Sequence, residues 1–326
     1  MSPVVQPELR IVFLGTPEFA ALTLPALAGS KHTVSLVITQ PGRRQGRGMR
    51  EVPSPVAIKA QALDLPAATV GRRDHGDLAA LVGAARPDVL VVVGWGGRLK
   101  PNVLGAPRSA AINLHPSLLP RWRGAAPIER ALMAGDSVTG VMVIHVAEQF
   151  DTGDIILSRA VAIPATADAG QMRTRLALCG GELLVQALDL LAAGMAPRIA
   201  QGDVGLLTAA KLTPADEVID WGQDAVGTVN RVRALAPSPG AHFVCQGQRV
   251  IVLRAKAVDF AAGRREAVPG CVLGRQGEAL LVAAGEGTTV ALVQVKPAGG
   301  REMSGSAYAN GRRLATGDLL REEDEG

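Results

Sequence analysis

The chain has 326 residues, of which 48% are hydrophobic and 20% charged, with a formal net charge of +4. That length suggests two domains with separate hydrophobic cores, and the composition excludes a disordered chain. No apolar run reaches membrane-span length, and Cys179, Cys245 and Cys271 sit too far apart to suggest a disulfide framework or a zinc site.

The first residues, Met-Ser-Pro-Val-Val-Gln-Pro-Glu, show neither a signal-peptide profile nor an Arg-rich transit pattern, so a cytoplasmic location is expected. Strand-like runs then alternate with helical stretches: Arg10 to Leu14, Thr33 to Thr39, Val89 to Val93, Ala110 to Leu114 and Val141 to Val146. Continuously apolar strands such as Val89 to Val93 predict an open, mostly parallel, Rossmann-like α/β sheet covered on both faces. Gly15-Thr16-Pro17 closes the first strand, with Thr16 as the expected N-cap of the next helix and Pro17 at its first position. The stretch lacks the later glycines of a dinucleotide-binding turn, and Pro17 removes an N–H that a pyrophosphate would need, so no nicotinamide cofactor is expected. In such sheets ligands lie beyond the carboxyl ends of the strands, where Gly15, Trp95 and His115 all fall.

Between the second strand and the next helix, Arg43, Arg44, Arg47 and Arg50 crowd into eight residues interleaved with Gly42, Gly46 and Gly48. This reads as a mobile cationic loop, and for an isolated arginine cluster a solvated surface is the ordinary explanation. Further on, Asn113 and His115 alternate around Leu114, so a strand ending there points both polar groups to one face. Phe150-Asp-Thr-Gly-Asp154 follows, and its plain reading is a turn in which an aspartate caps its own backbone. An amide donor, an imidazole and a carboxylate are also what amide-forming acyl transfer needs, with no protein nucleophile if the substrate brings an amine.

After a helical stretch from Leu176 to Ala193, residues 196–213 have little periodicity and read as a linker. A helical piece from Ala225 to Leu235 precedes short alternating segments with Gly-rich turns, which suggest a small β-barrel. The expected domains are therefore 1–195, catalytic, and 214–326, a C-terminal barrel.

The stretch Ile112-Asn-Leu-His-Pro-Ser-Leu-Leu-Pro-Arg-Trp-Arg-Gly-Ala-Ala-Pro127 and the later Asp151-Thr-Gly-Asp154 resemble the folate-dependent formyltransferase family. The likeness extends to Arg10 to Ala20, Gln40 to Arg50, Pro53 to Val56, Ile219 to Trp221 and Lys296 to Gly299. It implies transfer of a formyl group from 10-formyltetrahydrofolate to the α-amine of methionine esterified to initiator tRNA, ahead of translation initiation. On that reading Asn113, His115 and Asp151 are catalytic, Ser117, Leu118, Leu119 and Pro120 line the folate site, and Arg43, Arg44 and Arg47 contact tRNA. The resemblance also implies an OB-like barrel that contacts tRNA, a monomer, and no metal. Three stretches depart from the family pattern: Gly94 to Lys100, Glu148 to Phe150 and Pro237 to Pro239. The rival readings are a formyltransferase acting on a small amine, against which the arginine loop and second domain argue, a binding protein without turnover, and a formyl-folate hydrolase, which would be expected to carry a different appended module.

Overall fold

A computed structural model describes residues 7–45, 50–71, 74–259 and 267–320. The chain divides into two compact units: the first comprises residues up to Pro127, Val138–Ala162 and Arg173–Ala210, and the second comprises Ile128–Ser137, Ile163–Met172 and the chain from Lys211 onward. The first unit thus extends fifteen residues past the expected end of the catalytic domain at 195, because part of the expected linker folds back onto it: Ile199 pairs with Ile155, and Thr208–Ala209 pairs with Arg123–Gly124.

In the first unit, β1 (Arg10–Gly15) leads through α1 (Glu18–Ala28) to β2 (Thr33–Thr39), then to β3 (Arg43–Gln45) and β4 (Arg50–Val52). Next come α2 (Pro55–Ala62), β5 (Ala67–Thr69), α3 (His75–Ala85), β6 (Val89–Val93), α4 (Pro101–Leu104) and β7 (Ala110–His115). The short β8 (Arg123–Gly124) precedes α5 (Pro127–Met133), which belongs to the second unit from Ile128 on, and then come β9 (Val138–His145), β10 (Ile155–Ala162), α6 (Ala169–Ala192), which belongs to the first unit from Arg173 on, and β11 (Thr208–Ala209). One seven-stranded sheet has the order β10-β9-β7-β6-β1-β2-β5. Its pairs from β7 to β5 are parallel, whereas β9 runs antiparallel to both β7 and β10. The mostly parallel sheet is as expected. The last segment read as a strand, from Val141, is the longer antiparallel β9, and β10, with its alternating burial, is an additional edge strand. No helix among the described residues is long and apolar enough to cross a membrane.

Two local features differ from the sequence reading. The N-cap of α1 is Pro17, with no side-chain cap, and the Thr16 hydroxyl instead accepts the Gln40 N–H at 3.4 Å. The arginine loop, expected to be mobile, is bounded by an antiparallel ribbon in which Arg43, Arg44 and Gln45 oppose Val52, Glu51 and Arg50. Pairing the two flanks gives their peptide groups partners that an open loop would leave to solvent.

The second unit holds α7 (Pro214–Glu217), α8 (Ala225–Leu235), the strands β12 (Ala241–Cys245), β13 (Gln248–Val258), β14 (Val272–Gln276), β15 (Ala279–Ala283), β16 (Thr289–Pro297) and β17 (Met303–Ser304), and α9 (Gly305–Arg312). The sheet is antiparallel in the order β12-β13-β16-β15-β14, with β17 paired to β16. Alternate residues separate onto two faces: Leu280, Val282, Val290 and Leu292 pack with Trp221, Phe243 and Tyr308, while Leu281, Ala283 and Ala291 pack with Leu273. Trp221 donates its indole N–H to the Leu320 carbonyl at 2.9 Å and lies 5.8 Å from the Phe243 ring, both within this core. Asp220 accepts the Gly222 N–H, and the N-cap of α8 is Asp224.

Asp216 closes a capping box with Thr213 and forms a two-pronged pair with Arg130, at 2.7 and 3.1 Å. The guanidinium holds the Asp216 carboxyl well below the usual carboxylate range. A depressed folded pKa means the stabilisation is complete above the unfolded value near ~3.9 and is lost as pH falls below it. Asp216→Asn should therefore destabilise the second unit by about 2 kcal/mol at neutral pH, the worth of a charged hydrogen bond. The gap between variant and wild type should narrow as denaturant melts are repeated from pH 4 downward; a pH-independent gap would remove the ion pair as its cause.

Candidate active site

The site is built where β7 ends. Asn113 and His115 stand opposite Ile144 and Met142 of β9, while Leu114 points to the other face, where Gly180 of α6 leaves room for it. A Cβ on Gly180 would come within 2.6 Å of Leu114. The alternation read from the sequence thus puts both polar groups on one face.

Asp151 meets them from the turn between β9 and β10. Its Oδ1 lies 3.4 Å from Asn113 Nδ2 and 3.4 Å from His115 Nδ1, and its Oδ2 accepts the Gly124 N–H at 3.0 Å. The far ring nitrogen of His115, Nε2, lies 2.9 Å from the Trp122 carbonyl. Both ring nitrogens therefore face oxygen acceptors, and a neutral imidazole can donate to only one of them at a time. The imidazole and carboxylate are largely enclosed, with side-chain exposures of 5% and 13%, so their mutual interaction is little screened by water.

The backbone is under tension at the two residues that aim these groups. Trp122 and Asp151 have φ of +63° and +57°, the left-handed region that a bulky residue rarely adopts. Such conformations persist only where neighbours hold them, and they concentrate at functional sites.

The remaining residues expected in the site separate into two groups. Ser117 is fully buried and donates to the Arg121 carbonyl at 2.7 Å, and Leu119 packs on Met142 and Ile144, so both brace the loop from below. Leu118 and Pro120 are half-buried, with Leu118 seated over Gly140, where a Cβ would come within 2.5 Å of it. Arg43 and Arg44 lie in β3; Arg47 lies outside the described residues. Trp95 is buried, and its carbonyl accepts the Gln40 amide at 2.6 Å, joining the ends of β2 and β6 at the strands' carboxyl edge.

Sequence reasoning missed three contributors. Gln201 donates to the carbonyls of Asp151 and Gly153 and accepts from Arg123; the Trp122 carbonyl holds the imidazole; and Gly124 holds the carboxylate through its peptide N–H. The two backbone groups carry no side-chain signature, and Gln201 lies in a stretch without periodicity. Arg98 and Glu148, from two of the stretches that depart from the family pattern, form an exposed ion pair at 2.7 Å.

Comparison with known proteins identifies the family. The formyl transferase family matches residues 9–188, and the formyl transferase C-terminal domain matches residues 211–313. A methionyl-tRNA formyltransferase of Moorella thermoacetica is 40% identical over 313 residues, covering 96% of this chain and 99% of that protein. One of Halorhodospira halophila is 43% identical over 309 residues, covering 95% and 98%. Among solved structures, the sugar 3N-formyl transferase WlaRD superposes with a TM-score of 0.63 at 12% identity, over 87% of this chain and 97% of its own. HypX from Aquifex aeolicus, in complex with tetrahydrofolic acid, gives 0.62 at 18% identity over 98% of this chain, which spans 51% of that longer protein. At such identities the two structures speak for the fold, while the full-length relatives and the family matches speak for kinship. The chain belongs to the formyl transferase family.

Proposed function

We propose that Asn113, His115 and Asp151 transfer a formyl group from 10-formyltetrahydrofolate to the α-amine of methionyl-initiator tRNA, preparing it for translation initiation. The observation that carries this reading is the single carboxylate oxygen of Asp151 placed 3.4 Å from both the amide and the imidazole. Bound folate supplies a formyl group on N10, and the substrate amine is the nucleophile. Asn113 has two N–H groups; with one on Asp151, the second serves the formyl oxygen as it gains negative charge. One preorganised donor of this kind is commonly worth ~3 kcal/mol of barrier. His115 takes the amine proton. Once the proton is on the ring, both nitrogens have an oxygen opposite them, Trp122 O and Asp151 Oδ1. Asp151 keeps the ring in place, and as the bond from the formyl carbon to N10 breaks, the proton that His115 took from the amine passes through water to N10.

The residues suit a folate donor. Leu118 and Pro120 offer half-buried apolar surface beside the cluster for a flat ring system, with Ser117 and Leu119 supporting them. The Arg43 and Arg44 strand, with Arg47 beyond it, neutralises tRNA phosphate, and the domain from Lys211 onward contributes a second contact to the tRNA. One chain supplies the whole cluster, so a monomer suffices for the reaction, in the cytoplasm where initiation occurs.

The deciding assay offers 10-formyltetrahydrofolate with methionyl-initiator tRNA, methionyl-elongator tRNA and small amines such as an amino sugar nucleotide. Formylation confined to methionyl-initiator tRNA supports the reading, and preference for a small amine overturns it. In the same assay Arg47→Ala should raise KM for tRNA about tenfold or more, by ~1.4 kcal/mol of lost contact, with KM for folate within about twofold. Its tRNA binding should also depend less steeply on salt. Equal effects on both substrates would count against the loop.

A further inference from the structure

Gln201 makes four hydrogen bonds with one amide. Its nitrogen donates to the Asp151 carbonyl at 2.9 Å and the Gly153 carbonyl at 2.8 Å, and its oxygen accepts from Arg123 Nε at 3.1 Å and Nη2 at 2.7 Å. These use both N–H groups and both lone pairs. The orientation of the amide is fixed by its partners, since a guanidinium offers only donors and the two carbonyls only acceptors. Arg123 immediately precedes Gly124, whose N–H binds Asp151 Oδ2 at 3.0 Å. Asp151 is thus gripped at its carbonyl through Gln201 and at its carboxylate through Gly124. With φ at +57° it needs that grip, because a residue with a Cβ leaves this region when its surroundings allow.

We infer that Gln201 is a positioning residue for the reaction: it locks the Asp151 turn to the Arg123–Gly124 strand and so sets where the shared carboxylate oxygen sits. The kinetic part of this inference rests on the proposed formyl transfer; the geometric part does not. Gln201→Glu is nearly isosteric and keeps the acceptor for Arg123, but sets a carboxylate oxygen against the carbonyls of Asp151 and Gly153. Misplacing a reacting group by about 1 Å costs up to about 100-fold in rate. Gln201→Glu should therefore lower kcat by about 10- to 100-fold, with both KM values within about twofold.

Amide hydrogen exchange at Gly124 provides a second readout that needs no substrate. Its acceptor is the Asp151 carboxylate, whereas its neighbours Arg123 and Ala125 donate to the carbonyls of Leu207 and Ala209 at 3.0 and 2.8 Å. In Gln201→Glu the Gly124 amide should exchange about tenfold faster or more, approaching its rate in Asp151→Ala, while Arg123 and Ala125 keep their protection. Arg123→Lys, which keeps the charge but loses the fork, should give the same pattern and serves if Gln201→Glu folds poorly. Unchanged Gly124 exchange would overturn the inference, as would a rise at all three amides together, or a loss confined to KM for tRNA. If the wild-type enzyme formylates nothing, the reaction reading fails while the exchange result still decides the role of Gln201.

Discussion

Asn113→Ala should lower kcat for formyl transfer by about 100- to 1000-fold, the usual loss for one preorganised donor to a developing oxyanion. The variant should keep the wild-type unfolding profile, because Asn113 is half-buried and Ala fits its place in β7. His115→Ala should lose about 100- to 10,000-fold, the range for a positioned acid–base group. It should also lose some stability, since the contact between the imidazole and the Trp122 carbonyl is lost, a cost of about 1 kcal/mol. Because both side chains lie against the same Asp151 oxygen, the double variant should be little worse than the poorer single one. Single-turnover assays with saturating folate and tRNA test this, since they isolate the chemical step. Turnover within a few-fold of wild type in either single variant would remove that residue from the chemistry.

Gly153→Ala should damage stability and activity together. A Cβ there would fall 1.7 Å from the His145 carbonyl oxygen and 2.8 Å from its carbon. Those are backbone atoms at the end of β9, so no change of rotamer relieves the overlap. The turn must move away from the strand, breaking the His145 N–H bond to the Asp154 carbonyl, 2.8 Å in the native fold. Overpacking of this kind costs typically about 1–3 kcal/mol, and Asp151, two residues away, shifts with the turn. A fall in kcat of about 100-fold should accompany the loss of stability. Gly202→Ala is the control: a Cβ there meets nothing within 4 Å, and both properties should stay unchanged. Denaturant melts and kcat measured on the same preparations check the pairing; a stable but inactive Gly153→Ala would separate the two effects.

That glycine shows how a motif can be read correctly for an incomplete reason. Asp151-Thr-Gly-Asp154 reads from the sequence as a turn in which an aspartate caps its own backbone. In the folded chain it is Asp151 that takes the positive φ, and Gly153 is required by the close passage of a neighbouring strand. Local chemistry does not show this, because the passing carbonyl belongs to a residue outside the motif.

Much of the protein was determined by short-range pattern. The apolar strands from Arg10 onward specified a mostly parallel sheet, because strands covered on both faces must be apolar at every position. The alternation Asn113-Leu114-His115 placed two polar groups on one face, because the side-chain period of a strand is two. The quoted motifs carried the family, and with it the folate donor. Tertiary structure alone decided how Asp151 is held. Trp122 contributes a carbonyl, Gly124 an N–H, and Gln201 an amide separated from Asp151 by fifty residues. A backbone group is the same in every residue, and a hydrogen bond across that distance leaves no period in the sequence. The expected linker over 196–213 looked empty for the same reason: Ile199 and Thr208–Ala209 pair with earlier strand residues and Gln201 reaches the Asp151 turn, and only the folded chain brings these together.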